Sequence, residues 1–154
     1  MGRIDERLEE LGLSLPVPMR PPGNFRPVNV YGGLAYVSGH APIDGSTMLV
    51  QGVVGRDLTL EQGYEAARLT GLAIIASLKE ELGDLDRVTA WLRAVGYVQS
   101  APDFHENAKV VNGFSDLIVE IWGDAGRHAR SAPGQGPSPL DTPVIVDAIV
   151  AVSA

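Results

Sequence analysis

An α+β fold is predicted from the order of elements along the chain, which reads strand, strand, helix, strand, helix, strand, strand. A wound parallel sheet would need a sustained βαβ alternation, and this order does not sustain it. Two observations carry the reading: apolar residues recur at three- or four-residue spacing in two long segments, and β-rich runs bounded by Gly, Pro and Asp flank those segments. With 154 residues, 45% of them hydrophobic, and no internal repeat, the chain has the makeup of one ordinary domain over residues 1–154, with an N-terminal helix and arm over 1–27.

Ile4, Leu8 and Leu11 fall at helical spacing among Asp, Glu and Arg, so a short amphipathic helix is expected before Pro16, Pro18, Pro21 and Pro22 stop it. Leu13 to Pro27 reads as an ordered arm. Val28–Tyr31, Gly32-Gly33 and Leu34–Gly39 carry the signal of a hairpin about a two-glycine turn. A turn at Asp44-Gly45 leads to a further strand within Thr47–Gly52. Thr59 followed by Gln62 is a capping box, and Leu60, Tyr64, Ala67, Gly71, Ile74, Leu78 and Leu82 extend that helix to Gly83. Asp84-Leu85-Asp86 turns into a strand over Arg87–Gln99, where Val88, Trp91, Val95, Tyr97 and Val98 favour extended backbone. A second helix is expected over Asn107–Trp122, with Ala108, Val111, Ser115, Ile118 and Trp122 along one edge. A short strand at Ala129–Ala132, a Gly- and Pro-rich segment from Pro133 to Thr142 and a terminal strand from Pro143 to Val152 complete the chain.

Composition narrows the function. The absence of cysteine excludes a disulfide framework, a thiolate zinc cluster and a cysteine nucleophile. A formal charge of −7 repels phosphate backbones and anionic lipids, so neither nucleic acid nor a membrane is an expected partner. The mixed-charge start Met1-Gly2-Arg3-Ile4-Asp5-Glu6-Arg7 lacks the pattern of a secretory signal, and the longest apolar run, Val144–Val152, is broken by Asp147, so a cytoplasmic location is expected. His40, His105 and His128 show no ligand spacing on a shared helix face; core or surface roles are expected for them, and no metal. Neither a Gly-x-Ser-x-Gly elbow nor a phosphate-binding loop is present, and Gly134-Gln135-Gly136 lacks the third glycine and the βαβ context of a dinucleotide site.

Asp147 is the single charge in Pro143–Val152, a run apolar on both faces and expected to be buried on both. A lone buried carboxylate requires a partner. Arg130 is the nearest candidate, on a short strand able to pair antiparallel with the terminal one. A carboxylate at a sheet end in water, or a structural ion pair, is the alternative. Pro133–Thr142 is longer than a tight hairpin needs and suits a lid, an interface element or a surface excursion.

Tyr36-Val37-Ser38-Gly39-His40-Ala41-Pro42, Gly83–Val88, Val98–Phe104, Val111-Asn112-Gly113 and Gly126–Ala132 together resemble the Rid family, the reactive intermediate deaminases, also called the liver perchloric-acid-soluble protein or endoribonuclease L-PSP family. The resemblance runs from about Asn24 to Val152 and is nearest to the family's longer branch. It implies a chorismate-mutase-like subunit (bacillus type), with a mixed sheet and two main helices on one face. It also implies a homotrimeric barrel with clefts between subunits, and hydrolysis of 2-imino or enamine acids to a 2-keto acid and ammonia without cofactor or metal. Arg130 matches the arginine that grips the carboxylate of a small metabolite, and Asp147 falls where members usually carry the Glu that positions water. Ser38 and Gly39 match the cleft wall, Ala132 stands where many members have Cys, and Asn112 matches the helix Asn. Phe25 stands near the family's tyrosine without its hydroxyl, and Pro133–Pro139 replaces an aliphatic run. A carboxylate-binding or pathway-specific protein with a reshaped pocket and no deaminase activity is the second expectation; a ribonuclease fits worst with the negative charge.

Overall fold

A computed structural model describes residues 2–154. It contains α1 (Arg3–Glu10), β1 (Val28–Tyr31), β2 (Leu34–His40), β3 (Ile43–Asp44), β4 (Thr47–Met48), α2 (Leu60–Leu82), β5 (Val88–Gln99), α3 (Asn107–Trp122), β6 (Ala129–Ser131), β7 (Gly134–Gln135) and β8 (Val144–Val152). The local signals act as their chemistry dictates. Thr59 Oγ1 accepts from the Gln62 amide at 3.1 Å while Gln62 Oε1 accepts from the Thr59 amide at 2.8 Å, which closes the capping box of α2. Gly32 and Gly33 have φ of 60° and 78°, the paired positive values that a two-residue turn between twisted strands needs.

The main sheet runs β1-β2-β8-β5-β6, with β7 farther along the same edge of β5. The expected antiparallel pairing of the Arg130 strand with the terminal strand does not form. β8 has β2 on one edge and β5 on the other, both antiparallel, so neither edge is free. β6 takes the remaining edge of β5, and after the α3 crossover it runs parallel to it. The strand expected within Thr47–Gly52 is reduced to Thr47–Met48, paired with Ile43–Asp44. Its continuation is diverted because the Gly52 amide donates to the Asp141 carbonyl at 2.9 Å instead of joining a ladder.

The two long helices cover one face of the sheet. Along β8, Val144, Val146, Ala148, Val150 and Val152 are buried, whereas Ile145, Asp147, Ile149 and Ala151 are only half-buried on the opposite face. The expectation of burial on both faces is therefore met on the helical side alone within one subunit. Trp91 of β5 fills the core edge-on to Phe114 and Trp122 of α3, at ring-centroid distances of 5.9 and 5.2 Å. No helix among the described residues is long and apolar enough to cross a membrane.

α1 begins without a side-chain cap of its own. Asp86 supplies one from across the fold, accepting from the amides of Arg3 at 2.9 Å and Ile4 at 2.8 Å. The Ile4 and Arg3 amides hold its carboxyl below the usual carboxylate range. The folded state therefore gains from ionised Asp86 above the ordinary carboxylate pKa and loses that gain as pH falls through the depressed folded value. Asp86→Ala is expected to cost about 1 kcal/mol, or about 2–4 °C in Tm, with the deficit shrinking toward low pH in thermal unfolding scans.

Candidate functional site

Strand register decides what faces what. Ala94 of β5 aligns with Ala148 of β8 and with Arg130 of β6, and both alanines lie in the helix-side core. Val95, one residue on, aligns with Asp147 and Ser131. Side chains alternate along a strand, so Arg130 turns toward the helix layer while Asp147 turns to the open face. Within one subunit Arg130 is thus not the partner of Asp147, correcting the pairing expected from chain order.

Arg130 closes one side of a cleft of about 620 Å³, also lined by Asn112, Ser115, Asp116, Glu120 and His128. Spacings of three and four residues place Asn112, Ser115, Asp116 and Val119 on one face of α3, while Val111, Phe114, Leu117 and Ile118 bury the other. Arg130 Nη1 donates to Asn112 Oδ1 at 2.8 Å and to Ser115 Oγ at 3.0 Å, and Nη2 donates to the Ala108 carbonyl at 3.3 Å. All of these acceptors are neutral, and among the described residues no carboxylate makes a salt bridge to this guanidinium. Nε and the second Nη2 hydrogen remain as donors for an anionic ligand.

His128 adjoins the same network. Its Nδ1 lies 2.8 Å from the Gly126 carbonyl, which can only accept, so Nδ1 carries the proton. In the neutral ring Nε2 is then an acceptor, and Ser115 Oγ donates to it at 2.9 Å. Burial lowers the imidazole pKa from its ordinary value; the Gly126 bond opposes this, and the positive charge of Arg130 adds to the lowering. The Phe114 ring stands edge-on to it at 5.5 Å.

On the open face, burial raises the Asp147 carboxyl, opposed by the Tyr97 phenol and the Arg93 guanidinium. The negative Asp147 in turn raises Tyr97. Arg93 Nη2 donates to Ser131 Oγ at 3.1 Å, tying this group to β6. Ser38 lies half-buried near the end of β2 and donates to the Arg26 carbonyl at 2.6 Å, and Gly39 beside it lies against Ile145. Ala132 packs, half-buried, against the core just beyond β6. The segment after it is ordered by buried Gln99, whose Nε2 donates to Asp141 Oδ1 at 2.9 Å and whose Oε1 accepts from the Ser138 amide at 2.6 Å.

The residues singled out from sequence therefore divide between the two faces, with Arg130 and Asn112 in the cleft and Asp147 on the open face. Ser115, His128 and Tyr97 were not among them. The signal for His128 was its place two residues before Arg130, which an extended backbone puts on the same side; that for Ser115 was its spacing of three from Asn112. No three His, Asp or Glu side chains converge at metal-ligating distance among the described residues.

A mixed sheet with its long helices on one face, and a cleft lined by Arg130 beside its β6 edge, make this an α+β protein. The family model described as "YjgF/chorismate_mutase-like, putative endoribonuclease" matches residues 5–151. The chain belongs to this family, the endoribonuclease L-PSP group that its sequence resembles. It is 37% identical over 150 residues to protein TCP17 of Trypanosoma cruzi, covering 97% of this chain and 94% of that one. A solved structure of a protein of unknown function from Agrobacterium tumefaciens matches with a TM-score of 0.90 and 39% identity, over 98% of this chain and 93% of that one. A Shewanella oneidensis structure carrying the same endoribonuclease description matches with a TM-score of 0.93 and 34% identity, over 97% and 99% of the respective chains.

Proposed function

We propose that the protein is a homotrimeric, cofactor-independent hydrolase that converts reactive 2-imino or enamine acids to 2-keto acids and ammonia. The observation that carries this reading is the Arg130 guanidinium, oriented by Asn112, Ser115 and Ala108 without a paired carboxylate and so able to receive the carboxylate of a small metabolite. Asp147 is the group that positions the attacking water, and burial raises its carboxyl from the ordinary carboxylate value. Because it lies on the face opposite Arg130, it serves a cleft only if copies of the chain meet along their open sheet faces. Ser38, Gly39 and Ala132 complete the cleft wall in this reading. Family membership supports the assembly, as does a face on which Tyr36, 43% exposed, aligns with Ile149, with Ile145 farther along β8. A net charge of −7, with Asp116 and Glu120 beside Arg130, disfavours a polyanionic RNA substrate.

The test is ammonia and pyruvate release from freshly generated 2-iminopropanoate, run on protein of defined mass in solution. The expected result is a trimer that accelerates hydrolysis over background, with Asp147→Asn slower by about 10²-fold or more. A folded wild type with no acceleration overturns the deaminase reading. A second reading, carboxylate binding without deamination, is favoured by Phe25, 46% exposed and lacking a hydroxyl, and by the Pro-rich segment pinned on Gln99. It predicts a carboxylate-dependent rise in Tm in the absence of turnover.

A further inference from the structure

We propose that Ser115 and His128 form a proton relay coupled to occupancy of Arg130 by a carboxylate. The geometry is a continuous chain: Arg130 Nη1 donates to Ser115 Oγ at 3.0 Å, Ser115 Oγ donates to His128 Nε2 at 2.9 Å, and His128 Nδ1 donates to the Gly126 carbonyl at 2.8 Å. The Gly126 bond selects the tautomer, and the tautomer makes Nε2 a base aimed at the serine hydroxyl. The guanidinium contact favours negative charge developing on Oγ as its proton moves away. A serine, an imidazole of fixed tautomer and a cation with unused donors thus share one cleft, and within the subunit the relay operates without Asp147.

In its catalytic use the proposal rests on the deaminase reading. A substrate carboxylate held by Arg130 places the protonated imine beside Ser115. Water adds to the imine carbon and the C=N π pair moves onto nitrogen. One water proton passes to Ser115 Oγ as the serine proton passes to His128 Nε2. The imidazolium returns that proton through Ser115 to the amino nitrogen. The C–N bond then breaks, its electron pair leaves with ammonia, and the remaining hydroxyl proton follows the same path to His128 as the carbonyl forms. Loss of this proton to ammonia restores the neutral ring, so protonated imine and water become keto acid and ammonium.

The same chain links proton uptake to binding. The cleft that holds His128 is also lined by Ser115, Asp116 and Glu120 from α3, Arg127 from its own segment and Arg130 from β6, of which Arg130 is the charge that acts on the imidazole; Asp116 is engaged by the Tyr64 hydroxyl at 2.7 Å. A carboxylate on Arg130 offsets the positive charge that helps hold the imidazole down, so binding raises the His128 pKa. Carboxylate affinity therefore increases as pH falls through the interval between the free and bound values.

Two measurements test the relay. The first follows His128 by NMR through a pH titration with and without pyruvate, the resonance being identified by its absence in His128→Gln. The expected result is an upward shift on adding pyruvate that is lost in Arg130→Ala. The second is steady-state hydrolysis of 2-iminopropanoate. Ser115→Ala is expected to lower kcat about tenfold or more, with a smaller change in KM because Asn112 and the Ala108 carbonyl still hold Arg130, and His128→Gln to remove the acid limb of the pH profile. Active wild type with unchanged kcat in Ser115→Ala and no pyruvate-dependent shift overturns the relay while the deaminase reading stands. An inactive wild type whose His128 shifts with pyruvate overturns the deaminase reading and upholds the proton link; an inactive wild type without the shift overturns both.

Discussion

Arg130→Ala is expected to reduce kcat/KM for 2-iminopropanoate by about 30- to 1,000-fold, because truncating one member of a hydrogen-bonded charge pair costs about 2–4 kcal/mol. The magnitude follows from the surroundings of the side chain. It is half-buried at the cleft wall, and its Nη1 hydrogens are committed to Asn112 and Ser115, so the fork is oriented before a ligand arrives. Arg130→Lys keeps the charge and loses the planar fork, and is expected to recover only a minor part of the activity. The side chain's hydrogen-bond partners within the subunit are neutral groups at the cleft wall, so Tm should change by no more than a few degrees in either variant. Retention of wild-type kcat/KM and of pyruvate binding in folded Arg130→Ala would remove this residue from the site.

Gly113→Ala is expected to destabilise the fold by more than about 3 kcal/mol, seen as a fall in Tm of about 6–12 °C or more. A methyl at this position would lie 2.0 Å from the Tyr64 carbonyl oxygen and 2.8 Å from its carbon. The obstacle is the α2 backbone, which cannot rotate aside as a side chain can. α3 would have to move off α2, disturbing the packing where a methyl on Gly71 would already lie 2.8 Å from Leu117. Because Asn112 and Ser115 flank Gly113 on the same helix, the displacement should also weaken carboxylate binding. Thermal denaturation of the variant within about 2 °C of wild type would show that the helices separate more easily than this geometry allows.

The elements defined by local chemistry are legible in the sequence. The Thr59–Gln62 box and the glycine at 83 bracket α2, the Gly32-Gly33 pair marks the hairpin, and apolar periodicity outlines α3. Pairing partners are not legible, because β6 is only three residues long and its place depends on which edge β8 leaves free. That dependence hides the division of the site. Arg130 and Asp147 look like natural partners in chain order, yet a register set by β5 turns them to opposite faces. His128 is hidden for another reason: as a residue type it suits a core or surface role equally well, and only the Gly126 carbonyl and Ser115 hydroxyl give its nitrogens distinct roles. The family-specific residues Asn112 and Arg130 are found by resemblance, and they are hydrogen-bonded to each other.

The sheet ends in short strands on both sides: β1 has four residues and follows Pro27, and β6 has three, separated from β7 by Ala132 and Pro133. Strands this short, each close to a proline with no backbone N–H to offer, are poor templates for another chain to extend. Growth of the sheet sideways into open-ended fibrils is thereby discouraged, while its broad apolar surface stays accessible. In the assembly proposed above, copies would meet face against face and close on themselves, so an increase in protein concentration is expected to favour discrete assemblies over filaments.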